Sequence, residues 1–225
     1  RLSVYTKLVL TLTAALLLSG FLGILLVEWQ NPKTLSGLPL GEKLLSAMFQ
    51  SVTTRTAGFF TVDQGSLTDS GKLISMLLMF VGGSSGSTAG GIKTVTVGIL
   101  FLSAIRGFRG HGEVVVFGRK IPQAQISSAL SIFVLVVFLG IFGGMVVSVT
   151  NGIPLWDSLY ETVSAICTVG LSTGITAGLN AGSKILLIVF MIFGRVGIMT
   201  ISFAFMTKSP PDNAIRRPET QVLIG

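Results

Sequence analysis

Four long apolar stretches dominate the chain, and only one of them is interrupted. The first runs from about Leu8 to Val27 and closes on the interfacial pair Glu28-Trp29. The second follows Gly71-Lys72 and runs to about Ile105, broken by the small residues 82–91. The third runs from about Ile126 to Val149. The fourth runs from about Ile185 to Met206 and is stopped by Lys208 and Pro210-Pro211. Each is long enough to cross roughly 30 Å of hydrocarbon at about 1.5 Å per residue. Between spans one and two, and again between three and four, lies a shorter helix-like segment that suits a re-entrant element better than a span. The pattern predicts an all-α integral membrane protein. The first span is too long for a signal peptide, lacks a small-residue cleavage site and is followed by further spans.

The two outer connections also match each other. Phe49-Gln50-Ser51-Val52-Thr53-Thr54 aligns with Tyr160-Glu161-Thr162-Val163-Ser164-Ala165. A one-residue slip then brings Thr56-Ala57-Gly58-Phe59 onto Thr168-Val169-Gly170-Leu171. The repeated unit is span, half-helix, strand, span, as in potassium-channel pore loops, where Thr-Val-Gly-Tyr-Gly carbonyls replace the ion's water shell. Irregular backbone at membrane depth is tolerated only where protein or a water-filled cavity covers it, so the repeat predicts a cavity. A half-helix entering from outside aims its partially negative end at the bilayer centre, which favours a cation. Gly58 and Gly170 permit backbone angles that a β-carbon would obstruct; tight helix packing is the plainer use of such glycines.

Composition agrees. The 225 residues are 50% hydrophobic and 11% charged, with 28 glycines, and the mean hydropathy is +0.81. A net charge of +7 on a soluble protein would suggest nucleic acid, but here the basic residues cluster at span ends. Arg1 and Lys7 precede span one; Arg106, Arg109, Arg119 and Lys120 lie between spans two and three; Lys208, Arg216 and Arg217 follow span four. The other connections are balanced or slightly acidic. The positive-inside rule then puts both termini and the middle loop in the cytoplasm, with no nucleic-acid partner and membrane lipid around the spans. The single cysteine, Cys167, says nothing of compartment. One histidine, no metal-ligand cluster and no nucleophile–base pair argue against an enzyme.

The motifs Thr54-Arg55-Thr56-Ala57-Gly58-Phe59, the segment Gly82-Gly83-Ser84-Ser85-Gly86-Ser87-Thr88-Ala89-Gly90-Gly91-Ile92-Lys93-Thr94, and Thr168-Val169-Gly170-Leu171 resemble the Ktr/Trk/HKT superfamily of potassium uptake proteins. The similarity is greatest to the membrane subunit of bacterial Ktr systems. It implies four span-loop-span units around one potassium-selective pore, of which this chain matches the third and fourth. The expectation is therefore the C-terminal half of a longer polypeptide, partnered by the remaining N-terminal half. The units fall at 1–110 and 126–208, with a basic cytoplasmic linker at 111–125 and a cytoplasmic tail at 209–225.

The resemblance makes Thr56, Ala57, Gly58, Phe59, Thr168, Val169, Gly170 and Leu171 filter residues for the potassium ion. It makes residues 82–91 an intramembrane gate, where a passive helix kink is the plainer reading; a phosphate loop is excluded because Ile92 separates Gly91 from Lys93-Thr94. Arg195 sits mid-span, where a charge costs about 2.5 kcal/mol or more. The resemblance reads it as a barrier acting with the loop; a structural ion pair is the alternative. Arg55 is expected to brace carbonyls or a carboxylate, with Glu161 as a candidate partner. Lys93 is expected at the loop's inner end, where snorkelling to the interface is the simple reading. The resemblance also implies a homodimer, with the tail 218–225 contributing, and a cytosolic ring of nucleotide-binding regulatory subunits docked on the basic side. Sodium dependence is common in such systems, but no residue here shows it. Two rivals remain: a secondary transporter of a small solute, and a non-conducting assembly subunit. Against the first, both units share one membrane orientation, whereas many such transporters use inverted repeats. Against the second stand the filter-like strands.

Overall fold

The computed structural model describes residues 3–84, 87, 89–108, 114–116 and 118–196. Arg1, Ser85, Gly86, Thr88, Arg109, Lys208, Arg216, Arg217, the end of the fourth span and the tail 209–225 lie outside the described residues.

The first long helix, α1 (Val4–Glu28), starts where Ser3 accepts a hydrogen bond from the Thr6 amide, a side-chain N-cap. It is followed by α2 (Leu40–Thr53), a 3-10 turn at Gln64–Ser66, α3 (Asp69–Phe80) and α4 (Thr94–Phe108). The second half runs through α5 (Gln123–Asn151), α6 (Leu155–Ile166), a 3-10 turn at Ile175–Gly178 and α7 (Ala181–Val196). The order long helix, short helix, 3-10 turn, helix therefore occurs twice. Local chemistry repeats with it. Proline precedes both short helices, at Pro39 and Pro154, and each first turn carries an acid, Glu42 and Asp157, which suits the positive end of a helix dipole. α5 stops at Gly152, whose φ of 64° only glycine adopts cheaply.

α1 and α5 are each long and apolar enough to cross a membrane, and α4 is a shorter apolar helix. Their outward side chains, among them Leu22, Leu26, Phe138 and Val149, are exposed. The broken second span is two helices, α3 and α4, joined by residues 81–93.

α1 packs on α2, α3 and α4; α5 packs on α6 and α7; α3 against α6 and α4 against α5 join the two halves. α6 lies at the centre, and every residue from Tyr160 to Cys167 is buried. Its counterpart α2 leaves Leu44, Leu45, Met48 and Val52 exposed. Glu28, at the end of α1, is fully buried. It accepts from the Thr68 amide at 2.9 Å and the Thr68 hydroxyl at 2.6 Å, holding α1 to the N-terminus of α3. Lys72 on α3 pairs with Asp157 on α6 at 2.6 Å.

One expectation needs correcting. The fold is helical rather than wholly α: β1 (Val115–Val116) and β2 (Arg119–Lys120) form an antiparallel pair. Gly118 takes a φ of 79° in the turn. Val114 and Val116 bury against Leu8 and Ile126. Consecutive valines at 114–116 beside a glycine turn favour this hairpin, and the basic side chains of Arg119 and Lys120 stay exposed.

Glycines set how closely α5 meets α6. A Cβ at Gly144 would lie 3.1 Å from the Leu159 Cα, whereas at Gly140 it would meet nothing nearer than 3.6 Å. Gly140→Ala should therefore be neutral or stabilise by up to about 1 kcal/mol, since alanine suits a helix better than glycine. Gly144→Ala should destabilise by about 1–3 kcal/mol, because backbone cannot rotate out of the way. Thermal unfolding of the detergent-purified protein checks the contrast.

Candidate functional site

Both short helices end in stretches of irregular backbone, and these stretches meet. After α2, the Arg55 amide bonds Val52 O at 3.1 Å and the Ala57 amide bonds Thr53 O at 3.1 Å. After α6, the Thr168 amide bonds Ala165 O at 3.1 Å and the Val169 amide bonds Ser164 O at 2.9 Å. The backbone then turns left-handed at matching positions: φ is 67° at Thr56 and 78° at Gly58, 53° at Thr168 and 88° at Gly170. A threonine with positive φ is a genuine outlier, costing on the order of 1–3 kcal/mol. A Cβ on Gly58 would lie 2.6 Å from Val169 O, and one on Gly170 would lie 3.6 Å from the Gly58 Cα. The two stretches thus touch backbone to backbone where their glycines lie.

Gly90 and Gly91, at the end of the glycine-rich segment, lie against the second stretch. The segment's neck is closed by the Gly82 amide to Ile92 O at 2.9 Å, the Ile92 amide to Phe80 O at 3.1 Å and the Thr94 amide to Gly83 O at 3.2 Å. The Gly90 amide donates to the Thr168 hydroxyl at 3.1 Å, and a Cβ on Gly91 would lie 3.4 Å from the Cys167 Cβ. Lys93 Nζ donates to Ala89 O at 2.6 Å and Ser87 O at 3.4 Å. It folds back onto the loop rather than snorkelling.

The expected Arg55–Glu161 partnership is not formed. Arg55 Nη2 donates to Gly82 O at 3.2 Å and to Thr94 Oγ1 at 3.0 Å, so it braces the neck of the loop. Glu161, buried, serves its own half. It accepts from the Ser172 hydroxyl at 2.6 Å, the Thr173 amide at 2.9 Å and the Thr176 hydroxyl at 2.9 Å, all in the turn beyond Leu171. Neutral donors of the turn hold this carboxylate in place.

A cavity of about 460 Å³ opens beside the meeting point, lined by Arg55, Thr56, Gly83, Ala89, Thr168 and Arg195 among others, with no carboxylate among its described lining residues. A second, of about 400 Å³, is lined by Glu161, Gly170, Leu171, Thr176 and Arg195. Thr168 and Arg195 border both. Gly194 makes this placement feasible, since a Cβ there would collide with Ile166 O.

Residues 2–217 match the family model described as TrkH, cation transport protein. The chain belongs to this family. It is 38% identical over 230 residues to the potassium/sodium uptake protein NtpJ of Enterococcus hirae, covering all of this chain and 51% of that protein. It is 40% identical over 226 residues to the Ktr system potassium uptake protein B of Bacillus subtilis, covering 99% and 50%. The chain thus spans about half the length of the curated relatives it matches. Its fold is similar to the crystal structure of the potassium transporter TrkH from Vibrio parahaemolyticus, with a TM-score of 0.69 at 22% identity over 90% of this chain and 44% of that one. The TrkH family is one of transport proteins, not of enzymes.

The site contains more than its sequence motifs. Thr53 clamps the end of the first stretch, its hydroxyl bonded to both Phe59 N and Phe59 O. Gln50, Gln64, Ser75 and Tyr160 form a buried cluster beside it. The only forewarning was Gln50's alignment with Glu161; nothing marked Gln64, a lone polar residue in a connection.

Glu161 generates a graded prediction. Glu161→Gln keeps an acceptor for Ser172 and Thr173, and the Thr176 hydroxyl can turn to suit, so the loss should stay within about 1 kcal/mol. Glu161→Leu strands several donors and should cost about 2–3 kcal/mol. Thermal unfolding of the two variants measures the difference.

Proposed function

We propose that this chain supplies two of the strands lining a potassium-selective pore, and that the complete protein takes up potassium across the cell membrane. The matched left-handed residues in Thr56–Phe59 and Thr168–Leu171 carry the reading. Alternating left-handed residues turn successive peptide groups alike, amides to one side and carbonyls to the other. Carbonyls so aligned can replace an ion's water shell. The negative ends of α2 and α6 add to the attraction for a cation. Strained threonines are retained where such geometry has a use. Sodium is the natural second ion, given the name of one relative.

The multi-pass topology follows from the charges, with both ends of this chain cytoplasmic and both strand segments outward-facing. The exposed apolar face of α2, where α6 is covered, suits a four-unit pore whose other half packs there. A homodimer and a cytosolic nucleotide-binding ring on the basic side of Arg106, Arg119 and Lys120 complete the assembly proposed.

Residues 82–91 act as the gate. The loop lies against Thr168, the base of the second strand, and Lys93 and Arg55 hold its carbonyls. Arg195 and Arg55 border the cavity, whose described lining residues include no carboxylate, and positive charge there opposes a cation far more strongly than in water. Deleting part of residues 83–90 should raise potassium flux in reconstituted vesicles, and Arg195→Ala should raise it less, because only the deletion removes the steric plug. Folded deletion protein with normal or reduced flux would make the loop a structural element.

The filter reading has its own test. In the complete protein, Gly58→Ser should weaken discrimination of potassium over sodium, since its β-carbon would press on Val169 O, and Gly170→Ser should do so by straining a φ of 88°. Relative uptake of the two ions in potassium-dependent cells measures it; unchanged preference in both variants removes the assignment.

A further inference from the structure

Tyr160 and Glu161 are adjacent on α6, yet they serve different halves of the protein. Glu161 holds the turn beyond the second strand, as described above. Tyr160 reaches across: its hydroxyl donates to Gln64 Oε1 at 2.6 Å, in the 3-10 turn beyond the first strand. Tyr160 is fully buried, and Gln50 and Gln64 are nearly so.

The Gln64 amide is saturated. Its oxygen accepts from Tyr160 and from Gln50 Nε2 at 2.6 Å. Its nitrogen donates to Gln50 Oε1 at 3.2 Å and to Val62 O at 2.5 Å. Every polar valence of this amide is used, which fixes its orientation and leaves the backbone at Val62 held in place. One turn further along α2, Thr53 clamps Phe59. The chain leaving the first strand is thus tied at Phe59 and Val62, and the second tie is completed by a hydroxyl from the other half.

Resting on the filter reading above, we propose that Tyr160 is a positioning residue for ion selectivity, setting the exit of the first strand from the second unit. Removing the hydroxyl leaves Gln64 Oε1 with a single donor, frees the amide to turn and loosens the hold on Val62. The helix and its packing remain, because phenylalanine fills the same space.

The test is Tyr160→Phe in the complete protein, with potassium and sodium uptake measured as functions of concentration and normalised to protein in the membrane. Ser131→Ala serves as control, since this exposed hydroxyl bonds within α5, to Ser127 O at 3.1 Å, and Gly170→Ser as reference for the filter itself. Tyr160→Phe should raise the KM for potassium relative to sodium by about fivefold, the scale of one buried hydrogen bond, with maximal rate kept; Ser131→Ala should leave the ratio alone. In the double variant with Gln64→Leu the change should not add to that of Gln64→Leu alone, because both remove the same contact. Lost discrimination in Gly170→Ser with none in Tyr160→Phe overturns the positioning role while keeping the filter. Unchanged preference in both overturns the filter reading and the inference with it.

Discussion

A carbonyl and two glycines govern this structure. Val169 O stands where any β-carbon on residue 58 would sit, and Gly170 faces the Gly58 backbone from the same stretch. Only bare backbone at residue 58 permits that approach, whereas at Gly170 it is the φ of 88° that favours glycine. Because neither stretch belongs to a helix or sheet, its geometry has to be imposed from outside by the helices that precede it and by side chains that grip the turns that follow. Buried Thr53, Gln50 and Gln64 do this on one side, and buried Glu161 does it on the other by gripping Ser172, Thr173 and Thr176.

The same constraint explains the uneven burial of the two halves. α6 is enclosed because α3, α5 and α7 all pack on it, and the centre of a two-unit assembly falls on its second short helix. α2 holds an equivalent station in its own unit with no neighbour on the far side among the described residues. Its polar side is buried and its apolar side is exposed, the reverse of a surface helix in water. An apolar outer face is natural in lipid or against further spans.

Much of this was legible in the sequence. The long spans α1 and α5 were found to within a few residues because continuous apolarity is a strong signal. The break between α3 and α4 was visible as a run of small residues, and the repeat was visible in the alignment of Phe49–Thr54 with Tyr160–Ala165. The hairpin at Val115–Lys120 escaped because so short a β-pair leaves little pattern beside basic residues that suited a plain loop. The side-chain partners escaped for a different reason. Arg55 and Glu161 looked complementary by charge, but distance decides pairing, and each found neutral partners nearby. Gln64 gained its role from a tyrosine nearly a hundred positions away, at |i−j| of 96, a contact that periodicity cannot express.

We propose that Thr56–Phe59 and Thr168–Leu171 line a cation path with their carbonyls. Anomalous diffraction from crystals of the complete protein soaked in a thallium or rubidium salt addresses it most directly. Anomalous density is expected between the two stretches, within coordination distance of their carbonyl oxygens, and should fade when sodium replaces the heavier ion. Well-ordered strands with no ion between them, and density bound elsewhere in the protein, would contradict it.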